Sequence, residues 1–203
     1  MSNNAPARVR NTAADPDPRV ARTTQALGRA LIELIQERDY DQITVQQILD
    51  RAGVGRATFY AHYRNKDDAL QSSYEGLFRI MESLLDRRPS RERRLFPVAE
   101  FVAHIAEQCE LESALRRSGL LDEMWESFTG HAAAIIERKL ARWPPVEPDL
   151  PRPLVARMLA GALFEMVRWY QERPTPANPQ QVDAAFHAFA QGPYVTPTRR
   201  LRH

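Results

Sequence analysis

An all-α fold follows from three features of the sequence. Glycine is scarce, 8 in 203 residues. Apolar residues recur three and four apart along most of the chain, and alternating β-branched runs are nearly absent. The expected architecture is a small N-terminal three-helix unit followed by a longer helical unit, about nine helices in all. A hydrophobic content of 43% with 27% charged residues excludes a disordered chain. No apolar run nears the roughly 20 residues that span a bilayer. Residues 1–19 lack the apolar stretch of a secretory signal, so a cytoplasmic location with no membrane partner is expected. The single Cys109 excludes an internal disulfide and is read as a small buried apolar residue. Net charge is only +2, so composition alone argues weakly for a polyanionic partner. Residues 1–66 nevertheless carry ten Arg/Lys against seven Asp/Glu, which places the positive excess in the N-terminal third.

Residues 1–18, with Pro6, Pro16 and Pro18 among polar neighbours, read as a flexible basic arm. Arg8 and Arg10 in it are solvated cations or contacts for a polyanionic partner. From Arg19 to Glu37 the stripe Val20, Leu27, Ala30, Leu31, Leu34 and Ile35 predicts an amphipathic first helix. Thr44 and Gln47 form a capping-box pattern that starts a second, short helix at Val45. Gly53 ends that helix with the positive φ that a sharp turn needs. A third short helix is expected over about 56–63. Asn65, Asp67 and Asp68 open a fourth that runs toward Leu85. The basic stretch Arg87-Arg88-Pro89-Ser90-Arg91 is the sharpest break along the chain. Beyond it, helices are expected over about 96–108, 112–117, 121–143, 154–172 and 179–190, the last begun by Asn178-Pro179. Proline-rich stretches at 144–153 and 173–179 separate the last three. The segments are therefore an arm (1–18), a helix-turn-helix unit (19–66), a second helical unit (67–191) and a disordered tail (192–203).

A helix-turn-helix needs apolar residues where its two helices touch, a tight turn, and polar residues on the protruding face. Val45, Ile48 and Leu49 supply the inward face of the first helix, and Val54 fills the angle after Gly53. Phe59 and Tyr63, four apart, anchor the reading helix. Arg56, Ala57, Thr58, Tyr60 and His62 are left to divide among DNA, solvent and the helix margins.

The run Tyr40–Leu70, above all Ala52-Gly53-Val54, Thr58-Phe59-Tyr60, His62-Tyr63 and Asn65-Lys66-Asp67, resembles the TetR family of bacterial transcriptional regulators. The resemblance covers residues 19–70 at motif level; the rest matches only in helix order and length. It implies a DNA-binding regulator, by family default a repressor, on a palindromic double-stranded operator. Among its residues, Thr44, Tyr60 and Lys66 match backbone-gripping positions. Arg56 and Thr58 match base readers, an Arg being able to make a bidentate contact to guanine. His62 is a further candidate for DNA contact, unless it packs against the first helix. Gly55 departs from the pattern, since many members carry Ser there.

The same resemblance implies a homodimer through the last two long helices. The candidate interface residues are Val155, Met158, Leu159, Ala162, Met166, Trp169, Val182, Phe186 and Phe189, although such stripes suit an internal core equally well. It also implies a small hydrophobic effector among the middle helices, with Phe101, His104, Met124, Trp125, Phe128, His131 and Phe164 as candidate pocket walls. No cofactor or metal is expected, because no close His/Cys pair has ligand spacing. An enzyme is not expected either: a phosphate-cradling glycine loop and a nucleophile elbow are both missing from the sequence. An effector-independent DNA-binding protein is the alternative reading.

Overall fold

A computed structural model describes residues 18–86, 94–142, 150–172 and 178–192. Among the described residues there are nine α-helices and no strand. They are α1 (Pro18–Glu37), α2 (Val45–Ala52), α3 (Arg56–His62), α4 (Lys66–Asp86), α5 (Val98–Ala106), α6 (Cys109–Arg117), α7 (Leu121–Leu140), α8 (Arg152–Gln171) and α9 (Pro179–Ala190). The all-α expectation holds, with an N-terminal helix-turn-helix and a C-terminal helical part. The arm with Arg8 and Arg10, the basic stretch 87–91 and the tail from 193 lie outside the described residues. So does the Cys109 side chain. No described helix is long and apolar enough to cross a membrane.

Boundaries differ from expectation where local chemistry intervenes. A 3-10 turn at Tyr40–Gln42 was not foreseen; it is too short to show periodicity. The fifth helix starts at Val98 rather than Phe96 because Pro97 sits at its N-cap and disfavours helical backbone in the residue before it. α6 begins at Cys109, three residues earlier than expected, and α7 stops at Leu140.

Packing follows the apolar stripes. Leu27, Leu31, Leu34 and Ile35 of α1 are buried, and α1 packs on α2, α4 and α6. α1 and α4 approach closely at Gly28, where an added Cβ would lie 2.7 Å from Ser73 Oγ. α4 in turn packs on α7 and is tied to it by polar bridges. Arg138 donates to both Glu82 carboxylate oxygens at 2.8 Å, and Lys139 reaches Asp86 at 2.6 Å. In the C-terminal core Phe78 lies 5.1–6.1 Å, centroid to centroid, from Phe96, Phe101, Phe128 and His131. α7 packs along α8, and α5 against α9.

The α5–α9 contact is pinned by a partly buried charge cluster. Arg94 donates to Asp183 at 2.7 Å and to Glu100 at 2.8 Å, and the Ala99 N–H donates to Asp183 at 3.1 Å. His187 Nε2 accepts from the Leu95 N–H at 3.2 Å, so its proton sits on Nδ1, 2.8 Å from the Asp183 carbonyl. Burial alone would raise the Asp183 pKa, but hydrogen bonds from His187, Arg94 and Ala99 outweigh it and hold the carboxyl well below the usual range. A carboxyl depressed in the native state contributes stability above its unfolded pKa, and that contribution is lost as pH falls through the native value. Urea unfolding should therefore show Asp183→Asn about 2 kcal/mol less stable than the parent at pH 7. The gap should narrow below about pH 4; a gap independent of pH would contradict this role.

Candidate functional site

The two helices α2 and α3 are each defined by caps rather than by length. At the start of α2 the Gln47 N–H donates to Thr44 Oγ1 at 3.3 Å, and the Thr44 N–H donates to Gln47 Oε1 at 2.9 Å. The helix stops at Gly53, which is left-handed at φ +65° and ψ +33°, a conformation costly for any residue with a Cβ. Its N–H and that of Val54 both return to the Leu49 carbonyl. Ile48 and Leu49 are buried, and Val45 and Val54 are half-buried against the same core.

α3 is fastened by two rings. Phe59 is completely buried and Tyr63 nearly so, edge to face at 5.5 Å. Tyr63 also donates its hydroxyl to Ser72 of α4 at 3.3 Å. With those residues turned inward, helical periodicity turns Arg56, Ala57, Thr58 and Tyr60 outward, and all four are exposed. Tyr60 keeps 48% of its surface, with the Arg56 guanidinium 5.6 Å from its ring centre. This face presents a cation, a hydroxyl and a phenol.

Two other candidates sit less freely. Thr44 is exposed and spends an oxygen lone pair on its cap, leaving its own O–H to donate outward. The Lys66 ammonium is turned back toward the protein. It donates to the Tyr40 carbonyl at 2.7 Å and the Ile43 carbonyl at 3.1 Å, and lies 4.3 Å from the Tyr40 ring centre. Two of its three N–H donors are thus committed, and one remains. Tyr40 completes the joint by donating its hydroxyl to Asp67 at 2.6 Å; burial first, and then this bond, push the phenol pKa well up. Sequence reasoning did not single out Tyr40, because a lone Tyr before a turn carries no motif signal.

Residues 29–72 match the family model for bacterial regulatory proteins of the tetR family. Over 57 residues, 28% of this chain, it is 44% identical to the HTH-type transcriptional regulator YxbF of Bacillus subtilis (strain 168); the match spans only 15% of that relative's length. Over 152 residues it is 29% identical to the fatty acid metabolism regulator protein of the same organism, covering 68% of this chain and 78% of the relative. The fold is shared with the TetR transcriptional regulator from Streptococcus agalactiae 2603V. There the TM-score is 0.52 at 23% identity, over 85% of this chain and 95% of that one. Residues 29–72 thus carry a DNA-binding segment of the TetR type, and the fold around it is that of TetR regulators.

Between the helix-turn-helix part and the middle helices lies a cavity of about 840 Å³ walled by α1, α3, α4, α5, α6 and α7. Of the residues expected to line a pocket, His104, Met124, Trp125 and Phe128 do so. Phe101 and Phe164 do not: both are sealed in the aromatic core, 5.6 Å apart. His131 instead stacks on Phe78 at 5.2 Å. His62 is half-buried and contributes to the cavity wall, in keeping with the packing alternative left open for it beside DNA contact. Wall residues that sequence reasoning missed include Thr24, Ser72, Tyr74 and Ile80. They lie on helices assigned wholly to other tasks, although Ser72-Ser73 interrupts the apolar stripe of α4 and was a usable signal. Burial lowers the His104 pKa, with Glu107 opposing, so this imidazole is neutral near pH 7.

The expected interface residues divide as well. Met158, Trp169 and Phe189 keep 48–55% of their surface, as does Leu154, which was not singled out. Ala162 and Met166 are half-buried. Val155, Leu159, Val182 and Phe186 lie inside the protomer at 0–8% exposure and have almost no surface left for a partner; for these four the core reading replaces the interface reading. Replacing Lys66 by Met should cost about 1–2 kcal/mol through the two carbonyls it strands. Arg56→Ala and Tyr60→Ala should stay within about 0.5 kcal/mol of the parent. Thermal unfolding of the three variants checks this, and equal losses in all three would contradict the geometry.

Proposed function

We propose that this chain is a cytoplasmic transcriptional repressor of the TetR type that binds a palindromic operator as a homodimer and is released by a small hydrophobic effector. Residues 19–66 form the DNA-binding unit in this reading, and 67–191 the effector-binding and dimerisation unit. The observation that carries it is the division of α3: Phe59 and Tyr63 turned into the core, Arg56, Thr58 and Tyr60 turned out. Arg56 and Thr58 reach base edges in the major groove, while Thr44, Tyr60 and the third Lys66 donor hold the phosphates.

The dimer is supported by one face of α8. Leu154, Met158, Gly161, Ala162 and Trp169 share it by helical period. Its large side chains are exposed, and its small ones permit close approach of a second helix. Phe189 stands exposed on α9 beside Ala185 and Ala188, also exposed. A single short reading helix discriminates poorly against the excess of non-specific sites, and a two-fold pair doubles the contacts. The effector is supported by the cavity, whose volume suits a drug-sized molecule.

A gel shift on the DNA flanking the chain's own gene tests this reading. The parent should bind with steep salt dependence, and Arg56→Ala should lose about 10- to 100-fold in affinity. Light scattering should report twice the 23.3 kDa chain mass, and Met158→Asp with Phe189→Asp should halve it and abolish the shift. A parent indifferent to every flanking fragment at low salt would overturn the reading.

A further inference from the structure

We propose that the cavity takes an uncharged, elongated, mainly apolar molecule, and that this occupant presses directly on the reading helix of its own protomer through His62. The inference rests on the proposed effector reading and deepens it. α4 contributes wall residues from Ser72 to Ser83 and α1 from Val20 to Ile32, each a stretch of about 17 Å at the rise of an α-helix. The void is therefore a slot lying along two helices rather than a round chamber. Its inner wall carries Tyr74, Leu77, Trp125 and Phe128, and Trp125 is nearly buried.

The charged groups at its edge leave no net charge for an ionic head. Glu112 is held by Arg116 at 2.9 Å and by Gln171 at 2.9 Å, and Arg29 faces Glu33. Glu75 and Arg79, one turn apart and exposed, are of opposite sign. His104 is half-buried beside this apolar wall and has no hydrogen bond among the described residues, so it offers a neutral polar group to an occupant. A charge set against the apolar inner wall would lose its hydration there, which is costly.

The coupling follows from the same wall. His62 is the last residue of α3 and Tyr63 caps it; both line the slot, and Tyr63 is bonded to Ser72 at its margin. Filling the slot therefore meets the reading helix without an intermediary. A molecule that fits only when the last turn of α3 is displaced prefers the form that cannot lie in the groove, which is all that release requires.

The test uses the full-length protein with 1-decanol as probe, and decanoate and decyltrimethylammonium as charged analogues of equal length. Trp fluorescence reads binding, with Trp125→Phe as its control, and anisotropy of labelled operator reads DNA affinity. In the parent, 1-decanol should quench Trp125 and weaken DNA binding at least 10-fold, and the charged analogues should do neither at equal concentration. His62→Ala should keep the quenching but lose the release, to within about 2-fold, while His62→Leu, which restores bulk, should recover it. Release by His62→Ala equal to the parent's would overturn the direct contact and leave the effector reading standing. Stronger binding of either charged analogue would overturn the ligand class. If no probe quenches Trp125, the ligand class and the contact through His62 both fall, whereas the effector reading falls only if no small hydrophobic molecule releases the parent from its operator.

Discussion

Everything on the outer surface of this protein's first unit depends on the burial of two rings, Phe59 and Tyr63. The helix they anchor, α3, is seven residues long, far below the length at which a helix holds itself in water. It is helical because Phe59 is fully buried and Tyr63 nearly so. Those two residues, four apart, also set its rotation about its own axis. Arg56, Thr58 and Tyr60 face solvent as a direct consequence. Gly53 sets the other constraint: its left-handed backbone turns the chain within a residue, so α2 and α3 meet at an angle rather than continuing as a single rod.

The same rings connect the reading surface to the rest of the fold. Tyr63 is bonded to Ser72, Tyr40 to Asp67, and Lys66 to the carbonyls of Tyr40 and Ile43. The first turns of α4 thus hold both the entry to α2 and the exit from α3. Further along, α4 is bridged to α7 through Glu82 and Asp86. A second strut bypasses α4, since the Tyr40 N–H donates to Ser118 at the end of α6 at 3.1 Å. The helix-turn-helix is consequently held at several points by the elements that wall the cavity, and a change in that wall has short paths to the exposed face of α3.

The N-terminal third was legible because its constraints are local. A capping box, a glycine turn, an i,i+4 aromatic pair and an Asn-Lys-Asp helix start each announce themselves within a few residues, and each recurs in the structure. The C-terminal part was legible as helices but not as surfaces. α8 is apolar almost all round, so periodicity could not say whether Val155 and Leu159 or Met158 and Trp169 face the core. That choice is made by where α7 and α9 lie, which is long-range information. The cavity was hardest for the same reason. Its wall combines α1 and α3 with the middle helices, and His62 joins it where the exit from α3 lies against α4, at the Tyr63–Ser72 bond. Phe101 and Phe164 look like pocket residues in sequence, and tertiary packing seals them instead.

Hydroxyl-radical footprinting of the intact chain on its operator tests the central claim most directly, because it reads where the outward face of α3 lands. Two protected half-sites are expected, related by two-fold symmetry and centred about 34 Å apart or a multiple of it, with protection on the phosphates that flank each major-groove segment. Uniform protection without symmetry, or a footprint unchanged when Arg56, Thr58 and Tyr60 are all replaced by Ala, would contradict it.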